Sequence, residues 1–173
     1  MIENPSTARL ALKWGAILGA ALIAYTLVLY LTDNVGNSKL GFISIIMSVA
    51  GLVLAMRDFR TLNGGYMTYG EGVSLGTLTA AVSGLLSSLF QAFYTTLIDP
   101  TIMTRMADKA RVQLEETGKL TDEQIEQQMS FVTMFQSPGI TFAFGVIASV
   151  IFGLLLSLII AAIMKKNKTD PFA

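Results

Sequence analysis

Residues 139–164 read GITFAFGVIASVIFGLLLSLIIAAIM, and this stretch decides the fold class of the 173-residue chain. It closes a run, 127–164, of 38 residues without a charged side chain, although the chain has 24 charged residues. Three shorter uncharged runs precede it, at 14–32, 40–56 and 72–98. Uncharged, mostly apolar runs of about 18 residues or more indicate membrane spans. Helices are the expected form, because an open sheet edge cannot satisfy its backbone in lipid.

These four runs predict an all-α integral membrane protein, a four-transmembrane-helix bundle. We assign residues 1–173 to a single membrane domain with spans at about 14–32, 40–57, 72–98 and 139–164. The first span is expected to be retained, because its apolar run exceeds the roughly 7–15 residues of a cleaved signal peptide.

Charge on the connecting segments predicts the orientation of the spans. Net charges are +1 for residues 1–13, 0 for 57–71 and +2 for 165–173, against 0 for 33–39 and −3 for 99–138. Segments rich in Lys and Arg stay preferentially in the cytoplasm. An even number of spans places both termini on one side, and the charge difference predicts that this side is the cytoplasm.

The sequence contains no histidine and no cysteine. Disulfides, thiolate nucleophiles, Cys/His zinc sites and imidazole acid–base catalysis are therefore excluded. Most carboxylates cluster between residues 99 and 126, in a pattern typical of a solvated face. We predict no catalytic residues, no metal or cofactor site and no enzymatic activity.

Basic residues are too sparse for a nucleic-acid-binding surface. The densest cluster, Lys165, Lys166 and Lys168, directly follows the fourth span. Lysines in that position anchor a helix end against anionic lipid headgroups. The sequence thus predicts membrane lipid as a partner, and no nucleic acid.

Small residues recur at every fourth position on the third and fourth spans. Lipid provides no hydrophobic force between helices, so small residues are what allow two backbones to approach. We predict that these two helices pack closely along most of their length, with a homo-oligomer interface as the alternative. The predicted packing positions are Gly72, Gly76, Ala80, Gly84 and Ser88 on the third span and Gly145, Ser149, Gly153 and Ser157 on the fourth.

The long connection 99–138 carries signals for an extracytoplasmic amphipathic helical hairpin. Its first helix is predicted at 101–116, with Gly118 as the left-handed stop, and its second at about 122–136, ending before Pro138. Each helix has an apolar stripe, which either packs on the bundle or the outer lipid surface, or binds a protein partner. The candidate outer partner face comprises Ile102, Met106, Leu114, Ile125, Met129 and Val132.

The inner loop 57–71 reads RDFRTLNGGYMTYGE. Asn63-Gly64-Gly65 is a strong turn signal, and the carboxylate of Glu71 suits a helix N-terminus. One interpretation is a tight turn that begins the third helix. The other is a cytoplasmic docking or gating site, with Arg57, Arg60, Tyr66, Tyr69 and Glu71 as its candidate residues.

The sequence NGGYMTYGEGVSLG at 63–76, within a chain of four spans and an acidic helical segment before the fourth, resembles a known family. That family is called domain of unknown function 4199 and is found mainly in Bacteroidota. The resemblance covers essentially the whole chain. It implies a four-helix protein of the bacterial inner membrane and supplies no catalytic residues. The motif residues that carry it are Gly64, Gly65, Tyr69, Gly70, Glu71 and Gly76.

Two functions are compatible with this pattern. Transport has a weak basis, because ionisable residues that mark proton or ion paths are missing from the spans. Hydroxyl and amide side chains on the outer half of the third helix would line a vestibule instead. They are Ser83, Ser87, Gln91, Thr95 and Thr96. We therefore predict a structural or accessory membrane component that binds a protein partner, with an oligomeric channel or transporter subunit as the alternative.

Overall fold

The computed structural model describes residues 6–134 and 137–167. The protein is 84% helical, without a strand in those residues, which confirms the predicted all-α class. Four helices are long and apolar enough to cross a membrane. The helices are α1 (Thr7–Leu31), α2 (Ser38–Leu62), α3 (Tyr69–Phe93, continued by a π-helical turn, Tyr94–Ile98), α4 (Ile102–Glu116), α5 (Asp122–Met134) and α6 (Pro138–Met164).

Three of the candidate membrane-spanning helices are longer than the uncharged runs that predicted them, whereas α6 covers only part of the run 127–164. Helix α2, for example, continues past Arg57 to Leu62. A charged side chain does not interrupt the backbone hydrogen bonds of a helix, and at a membrane boundary it reaches the headgroups by snorkelling. The uncharged run therefore marks the apolar part of a helix rather than its ends. The predicted end of α5, at Phe135 or Gln136, and Lys168 lie outside the described residues.

Helix α3 lies at the centre of the bundle. It packs closely against α1 and α6, whereas α2 packs mainly on α1 and only weakly on α6. We call the end where α1 begins and α6 stops the terminal end, and the end that carries α4 and α5 the hairpin end. Helices α3 and α6 run antiparallel, so the glycine-rich faces of both cross the bundle together.

The two ends of the bundle differ in how tightly α2 and α6 are held. At the terminal end, α2 buries Leu52, Met56 and Phe59 in the main hydrophobic core, together with Leu75 and Ala161. Toward the hairpin end, by contrast, the described side chains of α2 up to residue 50 and of α6 from 138 to 152 are exposed or only partly buried. Helices α2 and α6 therefore bury less of their surface in this half of the bundle.

The predicted helical hairpin is present as α4 and α5, which pack on each other around Ala107 and Ile125. Helix α4 is followed by Gly118, whose φ of 60° is the left-handed conformation expected for a glycine stop. The first turns of α4 rest on the bundle through Ile102, so the hairpin is attached to the hairpin end rather than extended away from it.

Candidate functional site

The small residues of α3 and α6 meet in pairs across one continuous interface. A Cβ atom added to Gly84 would lie 1.7 Å from the Ser149 Oγ, a distance that no real Cβ adopts. The two backbones are therefore closer than any larger residue permits. All nine predicted packing positions lie in this contact. The pairs are Gly72 with Ala161, Gly76 with Ser157, Ala80 with Gly153, Gly84 with Ser149 and Ser88 with Gly145.

A cavity of about 240 Å³ lies near the middle of the bundle, among α1, α2, α3 and α6. Its polar lining consists of serines and one glutamine, and no charged residue contributes to it. We call it the serine cavity. Helices α2 and α6, which both line it, pack only weakly on each other. The polar residues are Ser48, Ser83, Ser87, Ser88, Gln91 and Ser149, and the apolar walls include Leu18, Leu22, Leu52, Phe152 and Leu156.

Three serines of the cavity wall have hydrogen bonds within their own helices. Ser48 donates to the Ser44 carbonyl at 2.8 Å, and Ser149 donates to the Val146 carbonyl at 2.7 Å. Ser83 donates similarly, at 3.1 Å, to a carbonyl three residues earlier. This back-bonding is the usual way in which a hydroxyl is satisfied inside a helix.

The remaining polar groups of the wall are not satisfied in this way. Ser88 is 6% exposed, and its hydroxyl has no hydrogen-bond partner in the part of the chain that the structure describes. The Gln91 amide is partly buried and likewise makes no hydrogen bond with the described residues, and the Ser87 Oγ is buried without a partner among them. Ser157 Oγ is also unpartnered, but it is enclosed against Gly76. At least two unused donor groups, on Ser88 and Gln91, thus line one apolar-walled space.

The serine cavity is closed toward the terminal end of the bundle. Leu52 and Met56 of α2 and Leu75 of α3 are almost completely buried there and fill the centre. The described residues of one chain therefore contain a blind pocket rather than a continuous polar path.

The vestibule predicted on α3 coincides with this cavity only in part. Ser83, Ser87 and Gln91 line it. Thr95 is buried and donates to the Gln91 carbonyl at 2.9 Å, whereas Thr96 is exposed. The sequence located the polar half of α3, but it missed Ser48 and Ser149, which other helices contribute.

The candidate outer partner face is occupied by contacts within the chain. Ile102, 2% exposed, packs with Met106 against Tyr30 and Tyr94, whose ring centroids are 4.7 Å apart. The other four stripe residues pack in the core of the hairpin itself. They are Leu114, Ile125, Met129 and Val132. In this structure the six side chains therefore do not form an open face.

Ion pairs reinforce the attachment of α4 to the bundle. Arg105 pairs with Asp33 at 3.3 Å and with Asp99, and the Lys109 Nζ lies 3.0 Å from an Asp33 carboxylate oxygen. The Thr101 hydroxyl, which donates to Asp99, and the nearby Arg105 together lower the pKa of that carboxyl. Sequence reasoning missed this cluster because its residues come from two separate connections.

In the inner loop, Glu71 caps α3. Its Oε2 accepts hydrogen bonds from the Thr68 amide at 2.7 Å and from the Thr68 hydroxyl at 2.8 Å, and the Thr68 Oγ in turn accepts from the Glu71 amide. This reciprocal capping box satisfies helix-terminal N–H groups. The geometry thus accounts for Glu71 by local structure, as the tight-turn interpretation requires.

The rest of the loop is held by backbone contacts. The Arg60 Nε donates to the Gly65 carbonyl at 3.4 Å, and Met67 and Lys166 exchange two backbone hydrogen bonds of 3.0 and 2.8 Å. The Lys166 Nζ lies 5.7 Å from the Tyr66 ring centroid. The other two candidate residues, Arg57 and Tyr69, are exposed.

Replacing Glu71 tests whether capping or charge matters at this position. We expect Glu71→Gln to preserve stability, because glutamine also completes a capping box. Glu71→Ala is expected to lower the free energy of unfolding by about 1 kcal/mol. Reversible unfolding in detergent measures both. If Glu71→Gln were as damaging as Glu71→Ala, the carboxylate charge itself would be required and the docking interpretation would gain support.

A contact between α1 and α2 was not anticipated from the sequence. The Asp58 Oδ2 accepts a hydrogen bond of 2.8 Å from the Lys13 Nζ and another of 2.8 Å from the Trp14 Nε1. The sequence did contain an indication of this contact. Lys13 and Trp14 lie at the start of the first uncharged run, and Asp58 lies just after the second. Both positions fall at the same membrane boundary.

A comparison with known proteins identifies the family. The family model described as "Protein of unknown function (DUF4199)" matches residues 13–166. No curated protein and no solved structure matches the chain significantly. Within the described residues, no group of three or more acidic, histidine or cysteine side chains is placed to hold a metal ion. The match covers nearly all of the 173 residues, and the chain belongs to the DUF4199 family, as its sequence motif implied.

Proposed function

We propose that this protein is an accessory component of the membrane that acts by binding rather than by catalysis, and that the serine cavity is its binding site. The observation that carries the proposal is the pair of unused donors, the Ser88 hydroxyl and the Gln91 amide, in an apolar-walled space. Polar groups left without partners at such a depth are costly. An occupant that accepts their hydrogen bonds would remove that cost.

The hairpin is the weaker candidate for partner binding. Its apolar stripes are used against the bundle and between α4 and α5. Its exposed apolar side chains, Val112, Phe131 and Met134, are scattered along the two helices. Single exposed apolar residues of this kind are ordinary on protein surfaces.

The proposal includes an orientation. The net positive segments 1–13 and 165–173 favour the cytoplasm, and the net negative segment 99–138 favours the opposite side. For a bacterial inner-membrane protein, the hairpin would then be extracytoplasmic. The serine cavity would lie near the middle of the bilayer.

An oligomeric channel or transporter subunit is the second candidate. It is favoured by a cavity with polar groups near the middle of the bundle. The apolar seal formed by Leu52, Met56 and Leu75 argues that one chain would not conduct, so the path would have to form between copies. Liposome flux that disappears in Gln91→Leu but persists in Thr96→Val would support this alternative.

Site-specific photo-crosslinking in living cells tests the binding proposal. A diazirine amino acid at Leu22 faces the cavity, and the same group at Ile163, 79% exposed on α6, reports on bulk lipid. We expect a discrete adduct mass at Leu22 that is absent at Ile163. Gln91→Leu should reduce its yield about two- to tenfold, the effect of one hydrogen bond.

The matched control is Thr96→Val, which removes a hydroxyl from the exposed side of the same helix. It should leave the adduct unchanged. If both crosslinking positions gave the same mixture of bulk phospholipid adducts, the serine cavity would have no specific occupant and the proposal would be wrong.

A further inference from the structure

We propose that the occupant of the serine cavity is a neutral, largely apolar molecule with a carbonyl or another acceptor oxygen, held by the Ser88 hydroxyl and the Gln91 amide. This inference rests on the proposed function and names the chemical class that the site would take. Four properties of the cavity lead to it: the absence of charge, the unused donors, the volume and the apolar walls.

The absence of charge selects a neutral occupant. The lining of the cavity contains serines, one glutamine, glycines, an alanine and apolar side chains, and no Asp, Glu, Lys or Arg. An ionised ligand at this depth would lose its hydration without gaining a counter-charge, which is strongly unfavourable. Phosphate or carboxylate groups are therefore poor candidates for the part of the ligand that enters.

The unused donors of Ser88 and Gln91 call for an acceptor on the ligand. Ser48, Ser83 and Ser149 already give their protons to backbone carbonyls, whereas Ser88 and Gln91 do not. The Gln91 amide offers two N–H donors and Ser88 offers one O–H donor. A ligand oxygen with lone pairs, such as a carbonyl, matches these donors.

Gly145 preserves the position of the Ser88 hydroxyl. A Cβ atom at residue 145 would lie 2.5 Å from the Ser88 Oγ and would displace it. The glycine thus has two consequences, since it lets α6 approach α3 and it leaves the hydroxyl in place beside the cavity. The position of the Ser88 hydroxyl thus depends on the close packing of the two backbones as well as on the serine side chain.

The volume limits how much of the ligand is enclosed. About 240 Å³ is below the roughly 300–1,000 Å³ of pockets that enclose drug-sized molecules. The cavity therefore suits a ring or a short carbonyl-bearing group.

The apolar walls accommodate the rest of the molecule. Leu18 and Leu22 of α1 and Phe152 and Leu156 of α6 line the cavity beside the polar groups. Because α2 and α6 pack only weakly on each other, we place the gap that leads to the lipid-facing side between them. An apolar tail would leave through this gap and lie among the acyl chains, while the oxygen stays with Ser88 and Gln91.

Infrared spectroscopy of a labelled ketone tests this inference. The full chain is placed in phosphatidylcholine nanodiscs and titrated with 2-undecanone that carries a ¹³C-labelled carbonyl, which separates its band from those of the lipid esters. We expect a saturable, lower-frequency band from a hydrogen-bonded carbonyl. Ser88→Ala and Gln91→Leu, tested separately, should each weaken binding about two- to tenfold.

Two controls define the outcome. Thr96→Val should bind the ketone as the unaltered protein does, and undecane, which lacks the oxygen, should compete poorly. No shifted band in the unaltered protein, or a band that persists in both Ser88→Ala and Gln91→Leu, would overturn the inference. Ser88→Ala only shortens a side chain, so a folding failure of Gln91→Leu would still leave a usable variant.

The two experiments distinguish a failure of the proposed binding function from a failure of the proposed ligand class. A discrete adduct at Leu22 without any ketone band would retain the binding function and reject this ligand class. An adduct with the mass of a protein would likewise reject it. The absence of both adduct and band would reject the binding function together with the ligand.

Discussion

Replacing Gly84 with leucine is expected to disrupt the α3–α6 interface and to produce the largest loss of stability at any glycine in this protein. Even the Cβ atom would lie 1.7 Å from the Ser149 Oγ and 2.3 Å from its Cβ, before the rest of the side chain is considered. We expect a loss of about 3 kcal/mol, the upper end of the range for overpacking, or failure to fold. Thermal unfolding in detergent, followed by size-exclusion chromatography, measures the effect.

Gly41→Leu is the matched control for this substitution. Gly41 lies in α2, and nothing is within 4 Å of the position that its Cβ would occupy. Because leucine has a higher helix propensity than glycine, this variant should be as stable as the unaltered protein or slightly more stable. Equal losses in Gly41→Leu and Gly84→Leu would show that close packing at Gly84 is unimportant.

A reciprocal exchange makes the same test more specific. Gly84→Ala alone should be destabilising, but Gly84→Ala combined with Ser149→Gly should recover much of the loss. The reason is that the side chain of Ser149 creates the conflict, while its Cα lies 3.8 Å from the added Cβ. Strictly additive losses in the double variant would contradict this pairing, since residues in direct contact should couple.

The second large effect is expected at Ile102, where the hairpin is attached to the bundle. Ile102→Ala should cost about 2–4 kcal/mol in the docking of α4, because a nearly fully buried side chain is truncated between α4 and the two tyrosines, Tyr30 and Tyr94. Hydrogen–deuterium exchange of residues 102–116 should accelerate. Exchange in α3 and α6 should change little, since their interface lies elsewhere.

Val112→Ala provides the comparison on the same helix. Val112 is 50% exposed, so its truncation should leave the exchange rates of α4 almost unchanged. If Ile102→Ala and Val112→Ala behaved alike, the hairpin would not depend on the apolar contact. The ion pairs of Arg105 and Lys109 with Asp33 would then have to hold it, although such partly exposed pairs usually contribute little.

Much of the fold could be predicted because lipid imposes strong rules on sequence. The uncharged runs gave the four spans, and the fourfold spacing from Gly72 to Ser88 and from Gly145 to Ser157 indicated which helices approach closely. The helix ends were less accurate, since α2 continues through Arg57 as a helix. A charged residue indicates where the apolar environment ends, but the helix can continue beyond that residue.

The candidate site was less predictable, because it depends on the relative placement of several helices. An apolar stripe that includes Ile102 or Ile125 shows that a surface will be covered, but not that the same chain covers it. The serine cavity combines Ser48, Ser88 and Ser149 from three helices. Nothing in the spacing of a single segment places such residues around one space. The Asp58 contact with Lys13 and Trp14 was hidden for the same reason.

The pairing of Met67 with Lys166 limits how the bundle can move. The pairs of small residues repeat every four residues, so sliding α6 along α3 by one repeat would shift it by about 6 Å. Such a shift would break both backbone hydrogen bonds between Met67 and Lys166. The close pairs of Gly84 with Ser149 and of Ser88 with Gly145 hold the other half of α6 against α3 as well. Any opening of the serine cavity is therefore expected to keep the register of α6 on α3.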